Sequence, residues 1–197
     1  TCALPISERR LELIVADDAS DDDSVAIAQA MAASDPRVRV IAAERNGGPA
    51  ATRNLALDAA TGDWIAIVDS DDLIHPARIH RLLDAAGAAG ADLVADDLVY
   101  FGADAGSGGR TLMQALALRE PMMMTPALYL QGHGGDSAVP AFGYLKPLIR
   151  RDVLADRRYD RALRIGEDYD LVLRLLIGGA RFVLLPDPLY AYRRHAG

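Results

Sequence analysis

The chain has 197 residues, of which 51% are apolar and 25% charged, and its formal net charge is −7. That size and composition suit one globular domain with a real core, and the acidic balance argues against a nucleic-acid backbone as partner. The single cysteine, Cys2, excludes an internal disulfide and a cysteine metal cage and fits a reducing cytoplasm, and no apolar run is long enough to cross a bilayer.

Residues 11–16 read as a buried strand that ends on Asp17-Asp18. Residues 20–24 are rich in helix-capping types, and a helix is predicted over 25–33. A short strand follows at 38–41. Asn46-Gly47-Gly48-Pro49 makes a turn into a helix over about 50–60, with Pro49 suited to the first turn. Thr61-Gly62-Asp63 closes that helix and leads into Trp64-Ile65-Ala66-Ile67-Val68, a buried strand that runs straight into Asp69-Ser70-Asp71-Asp72.

Pro76 starts a further helix. Ile79, Leu82, Leu83 and Ala86 keep the spacing i, i+3, i+4, i+7 and bury one face, and Gly87 and Gly90 end it. Residues 92–101 read as a strand and 102–109 as a glycine-rich loop. Residues 111–135 show no clear element; Met122-Met123-Met124 there is core or groove packing. Residues 143–154 mix apolar and basic types. A helix is predicted over 167–177, with Tyr169, Val172, Leu173 and Leu176 on one face and Glu167 and Asp168 in its first turn. The last predicted strand covers 181–185. Alternation of strands and helices implies an α/β fold with a mostly parallel central sheet and helices on both faces. Ligands of such sheets bind beyond the carboxyl ends of the strands, where Asp17-Asp18 and the 69–72 cluster both lie.

Asp69, Asp71 and Asp72 repel one another unless a cation sits among them. Hard divalent ions take such oxygen ligands, usually one or two carboxylates plus substrate phosphates. The cluster therefore points to a metal–phosphate site, with helix capping as the alternative for Asp72.

Five motifs come in order: Asp17-Asp18-Ala19-Ser20; Asn46-Gly47-Gly48 with Arg53-Asn54; Gly62-Asp63-Trp64 with Asp69-Ser70-Asp71-Asp72; Gly166-Glu167-Asp168; and Tyr192-Arg193-Arg194-His195. Together they resemble family 2 glycosyltransferases. The resemblance implies the Rossmann-like, nucleotide-sugar-binding GT-A fold in a single domain. Residues 11–101 would form the nucleotide-sugar half, and residues 102–197 the acceptor and catalytic-base half. It implies transfer of a sugar, with inversion, from a nucleoside diphosphate donor such as a UDP-sugar to a hydroxyl of a glycan or lipid-linked acceptor in polysaccharide biosynthesis. That work would take place in the cytoplasm, with peripheral association at the inner face of the membrane. The expected cofactor is Mn²⁺ or Mg²⁺.

Residue by residue, the resemblance places Asp17, Asp18 and Arg53 at the nucleotide and Asp69 near the ribose. Asp71 would hold the metal, with Asp69 and His195 as further metal candidates. Asp168 would be the catalytic base and Glu167 an orienting or acceptor-contacting group. Tyr144 and Lys146 are candidates for an acceptor groove, and His75, His80 and His133 are expected at the surface. Ala19 stands where the family usually has glycine. The family's first strand, with its proline–aromatic–asparagine turn, has no counterpart before Leu11, so the sequence reads as lacking an N-terminal strand. The tryptophan motif of processive synthases is absent, which favours addition of one sugar at a time. Two rival readings are a catalytically inactive nucleotide-binding domain and a phosphohydrolase of the haloacid dehalogenase type. For the latter, Leu73 stands where a threonine or valine is wanted, and Lys146 is the only lysine.

Overall fold

A computed structural model describes residues 8–103, 109–132 and 139–195. His133, most of the glycine-rich loop and the start of the chain lie outside the described residues. In chain order come β1 (Leu13–Asp17), α1 (Ser24–Ser34), β2 (Val38–Ala42), α2 (Pro49–Ala59), β3 (Trp64–Ala66) and β4 (Leu73–Ile74). They are followed by α3 (Arg78–Ala89), β5 (Leu93–Gly102), β6 (Met122–Met124) and α4 (Pro126–Gln131). The chain continues through β7 (Leu148–Arg150), α5 (Arg151–Leu154), α6 (Glu167–Ile177) and β8 (Phe182–Arg194).

The strands make two sheets. β1 and β2 pair in parallel by themselves. The larger sheet has the order β3-β7-β5-β8-β4, with β6 also on β8. Within it β3, β5 and β8 run the same way, β5 and β8 as parallel neighbours, and the short β4, β6 and β7 run against them. The α/β reading holds, with this admixture of antiparallel strands.

Period-2 alternation buries both faces of the central strands. Leu93, Ala95, Phe182 and Leu184 point into a core with α6 residues Leu171, Val172, Leu175 and Leu176. Val94, Val183 and Leu185 point the other way, onto Leu82 and Ala86 of α3. The face of α6 is thus centred on Leu171 and Leu175 rather than on Tyr169 and Leu173, which are partly buried at its flank.

Several boundaries differ from expectation. β3 stops at Ala66 because its partner β7 ends opposite, at Leu148, and Val68 is already exposed. Gly87 lies inside α3, and only Gly90 ends it. The last strand is 13 residues long rather than five. It crosses Pro186 and Pro188 by shifting register against Asp96 and Asp97, where prolines that donate no hydrogen bond are tolerated. The three methionines form an edge strand, with Met124 buried and Met123 exposed. His75 and His80 are at the surface.

Glu12 ties the small sheet to the start of β3. Its Oε1 accepts from Thr61 N, Thr61 Oγ1 and Gly62 N at 2.6, 2.8 and 2.9 Å. Burial pushes this carboxyl up, but those donors and Arg39 hold it below its ordinary 4.5. A depressed carboxyl stabilises the fold above the unfolded value and loses that contribution as pH falls through the folded one. Glu12→Gln should therefore be less stable than the parent at pH 7, and the gap should close as the pH drops below about 4.5, read by thermal melts across that range.

Candidate active site

The carboxylates gather where α2, the end of β3 and the start of α6 meet. Gly48 caps α2 with φ 82°, and Pro49 follows at the first helical position. One turn on, Arg53 reaches across the gap. Its Nη2 donates to Asp69 Oδ1 at 2.9 Å, Nη1 donates to Glu167 Oε1, and Nη1 lies 3.4 Å from Asp168 Oδ1. Gly166, at φ 83°, turns the chain into α6 so that Glu167 and Asp168 open the helix facing Arg53. Asn54 pins the segment beneath: its amide donates to Tyr159 O and accepts from Tyr159 N, both at 2.9 Å. The Arg53 guanidinium carbon lies 5.7 Å from the centre of the Tyr159 ring.

Lys146 is the second cation of the cluster. Its ammonium lies 2.9 Å from Asp69 Oδ2 and 2.8 Å from Asp168 Oδ2, with the side chain only 6% exposed. Burial alone would lower this amine, but Asp168 and Asp69 outweigh it and hold it above the ordinary lysine value. Burial likewise pushes Asp69 up, and Lys146 and Arg53 reverse that, leaving it below the usual carboxylate range. Two cations thus face three carboxylates, each spanning more than one partner.

Asp71 stands apart from that cluster, half exposed, with His195 Nε2 at 2.7 Å from its Oδ2. Asp72 does not cap α3, whose N-terminus has no side-chain cap. It receives the Tyr190 hydroxyl at 2.6 Å and Arg193 N at 2.7 Å instead. The Tyr190 oxygen also accepts from Asp69 N at 3.2 Å, and Arg193 Nε donates to Asp71 O at 2.7 Å. The long β8 therefore clasps the whole 69–72 loop.

At the end of β1, Asp17 accepts from Ser20 N and Oγ at 2.9 and 2.6 Å. Asp18 accepts from Gly47 N and Gly48 N, both at 2.8 Å, so it braces the turn into α2 rather than the start of α1. Burial pushes Asp18 up, and the hydrogen bonds from Gly47, Thr52 and Gly48 hold it below its ordinary value. Ala19 sits at φ 61°, the left-handed region that favours glycine.

The structure thus joins Arg53, Asp69, Glu167 and Asp168 in one cluster and sets Asp71 with His195 beside it. Asp17 and Asp18 belong to the neighbouring loop. Lys146, expected in an acceptor groove, is buried inside the cluster, whereas Tyr144 is exposed, with its ring edge-on to Tyr192. Tyr190 was missed because it follows two prolines, and Arg193, though part of the fifth motif, was given no role. Lys146 carried a signal in the sequence, being the one lysine among 21 basic residues.

For a divalent ion, no group of three or more candidate ligands occurs among the described residues. Both oxygens of Asp69 are taken by cations. Asp71 and His195 remain as an adjacent, accessible carboxylate–imidazole pair. That donor set fits an ion that completes its shell with water and substrate phosphates.

A model described as "Glycosyl transferase family 2" matches residues 3–151. The chain is 39% identical over 189 residues to "Succinoglycan biosynthesis protein ExoO" of Rhizobium meliloti (strain 1021), covering 95% of this chain and 53% of that protein. It is 34% identical over 184 residues to "Succinoglycan biosynthesis protein ExoU" of the same organism, covering 91% and 53%. Among solved structures, S. aureus TarS 1-349 in complex with UDP-GlcNAc superimposes with a TM-score of 0.71 at 21% identity, over 94% of this chain and 50% of that one. At that identity the likeness carries the GT-A-like fold. The chain spans about half the length of the curated relatives named here. No helix among the described residues is long and apolar enough to cross a membrane.

Proposed function

From the premise that the chain belongs to glycosyl transferase family 2, we propose that it moves a sugar from a nucleoside diphosphate donor, a UDP-sugar, onto a hydroxyl of a glycan or lipid-linked acceptor in exopolysaccharide assembly. The observation that carries this reading is the juxtaposition of Asp168 with the loop that follows β3, through Lys146 and Arg53. A base and a donor-side carboxylate must lie close together for a single displacement. The UDP-GlcNAc complex of TarS and the succinoglycan names of ExoO and ExoU support the donor and pathway classes.

In this mechanism Asp168 accepts the proton of the acceptor hydroxyl as its oxygen attacks the anomeric carbon. The bond to the diphosphate breaks with its electron pair leaving on the phosphate oxygen. One displacement without a covalent enzyme intermediate inverts the anomeric centre, by analogy with the two geometries of glycoside hydrolysis. Arg53 and Glu167 orient Asp168 and Asp69, and Asp69 meets the ribose. Asp17 and Asp18 shape the wall at the nucleotide. Asp71 and His195 would hold Mn²⁺ or Mg²⁺, which when bound neutralises charge on the leaving diphosphate.

UDP at about a hundred times its Kd should stabilise the fold by about 2.7 kcal/mol, roughly 5–10 °C in Tm, with Mn²⁺ present and much less with EDTA. No shift with any nucleoside diphosphate in either condition would overturn the donor assignment.

A further inference from the structure

Two buried charges next to this site are not accounted for by the chemistry above. Arg78 opens α3 and is 0% exposed, and Asp96, in the middle of β5, is 2% exposed. Arg78 Nε donates to both Asp96 oxygens at 3.0 Å and Nη2 to Oδ1 at 2.7 Å. Removing such a pair from water costs several kcal/mol per ion, and well-packed apolar residues of similar volume are often at least as stable. Arg78 Nη1 also has no hydrogen-bond partner among the described residues. Stability alone is a poor account of this pair.

Its other contacts lead to the site. Arg78 Nη2 donates to the backbone carbonyl of Lys146 at 2.5 Å. The same guanidinium lies 4.9 Å from the centre of the Tyr190 ring. From Lys146 the ammonium goes on to Asp69 and Asp168. From Tyr190 the hydroxyl goes on to Asp69 N and Asp72. One planar fork, fixed by Asp96, underlies both struts. Arginine suits this task because its donors point in several fixed directions.

We propose that the Arg78–Asp96 pair is a positioning element of the active site. It seats Lys146 and Tyr190, and through them it holds the 69–72 loop and Asp168 at a fixed separation. The proposal rests on the reading of those carboxylates as donor-side and base groups.

Lys146 is the chain's only lysine, so its amine can be followed by reductive methylation, with peptide mapping separating it from the lysine that Arg78→Lys adds. The variants are the pair Arg78→Met with Asp96→Leu, which leaves no lone buried charge, and Arg78→Lys, which keeps a charge against Asp96 but loses the fork. Both should fold with a Tm within a few degrees of the parent. In both, methylation of Lys146 should speed up about tenfold, and UDP affinity in Mn²⁺ should weaken about tenfold, as when an outer partner of a site residue is lost. Unchanged Lys146 reactivity in the folded variants overturns the proposal, whatever UDP does. Faster methylation with unchanged UDP affinity overturns it too, because the pair would then be structural only. If the paired variant does not fold, Arg78→Lys carries the same test. A parent chain that fails to bind UDP sinks the donor reading instead, while the methylation rates still decide whether the pair seats Lys146.

Discussion

Asp168→Asn should lower the transfer rate by about 10²–10⁴-fold while leaving UDP affinity nearly unchanged. The amide keeps the shape and one acceptor for the Lys146 ammonium but cannot take the hydroxyl proton. Stability should move the other way. Arg53 and Lys146 confront Asp69, Glu167 and Asp168 in one partly buried cluster. Removing one negative charge leaves two cations against two carboxylates. The Tm of the variant should therefore equal or exceed that of the parent, as expected where a site keeps a charge for function rather than for stability. Two measurements decide it: initial rates with a UDP-sugar and acceptor, and a melting curve. Loss of UDP binding with the rate would remove Asp168 from the base role, and a large fall in Tm would contradict the charge argument.

Arg53→Met should be the most damaging single change to the fold around the site. The side chain is 17% exposed and bridges Asp69 and Glu167, with Asp168 within reach. Taking away one partner of a buried ion cluster costs about 3–5 kcal/mol, because the others stay buried without compensation. The lower end applies to this partly open site, so the Tm should drop by roughly 6–12 °C. Arg53→Lys should recover only part of that, since a single ammonium cannot reach both sides of the gap. A Met variant that melts with the parent would show that Lys146 alone holds the cluster.

The helix that carries Glu167 and Asp168 was legible to the residue, since Gly166 marks its start and its apolar spacing is regular over 167–177. The motif carboxylates were legible too, because hard-ion chemistry needs oxygen ligands at strand ends. What could not be read was how they are held. Ile67 and Val68 look like strand, yet a strand needs a partner, and β7 ends opposite Ala66. Pro186 and Pro188 look like a terminus, yet a register shift against Asp96 and Asp97 lets β8 continue and deliver Tyr190 and Arg193 to the 69–72 loop. Arg78 reads as an ordinary helix-start residue. Its burial follows only from the long-range packing of α3 on β5 and β8.

The loops bearing Asp17-Asp18 and Asp69 follow strands of different sheets, and this sets how each of them opens. β8 runs from core residues Phe182 and Leu184 to Arg193 beside Asp72, so amide exchange in the loop it clasps should be slow. β1 and β2 form a separate pair whose residues are mostly half-buried. Amide exchange there is set by a smaller, local unfolding free energy. Amide hydrogens around Asp17 and Asp18 should therefore exchange faster than those of the loop that carries Asp69 and Asp72, a difference that hydrogen exchange reads directly.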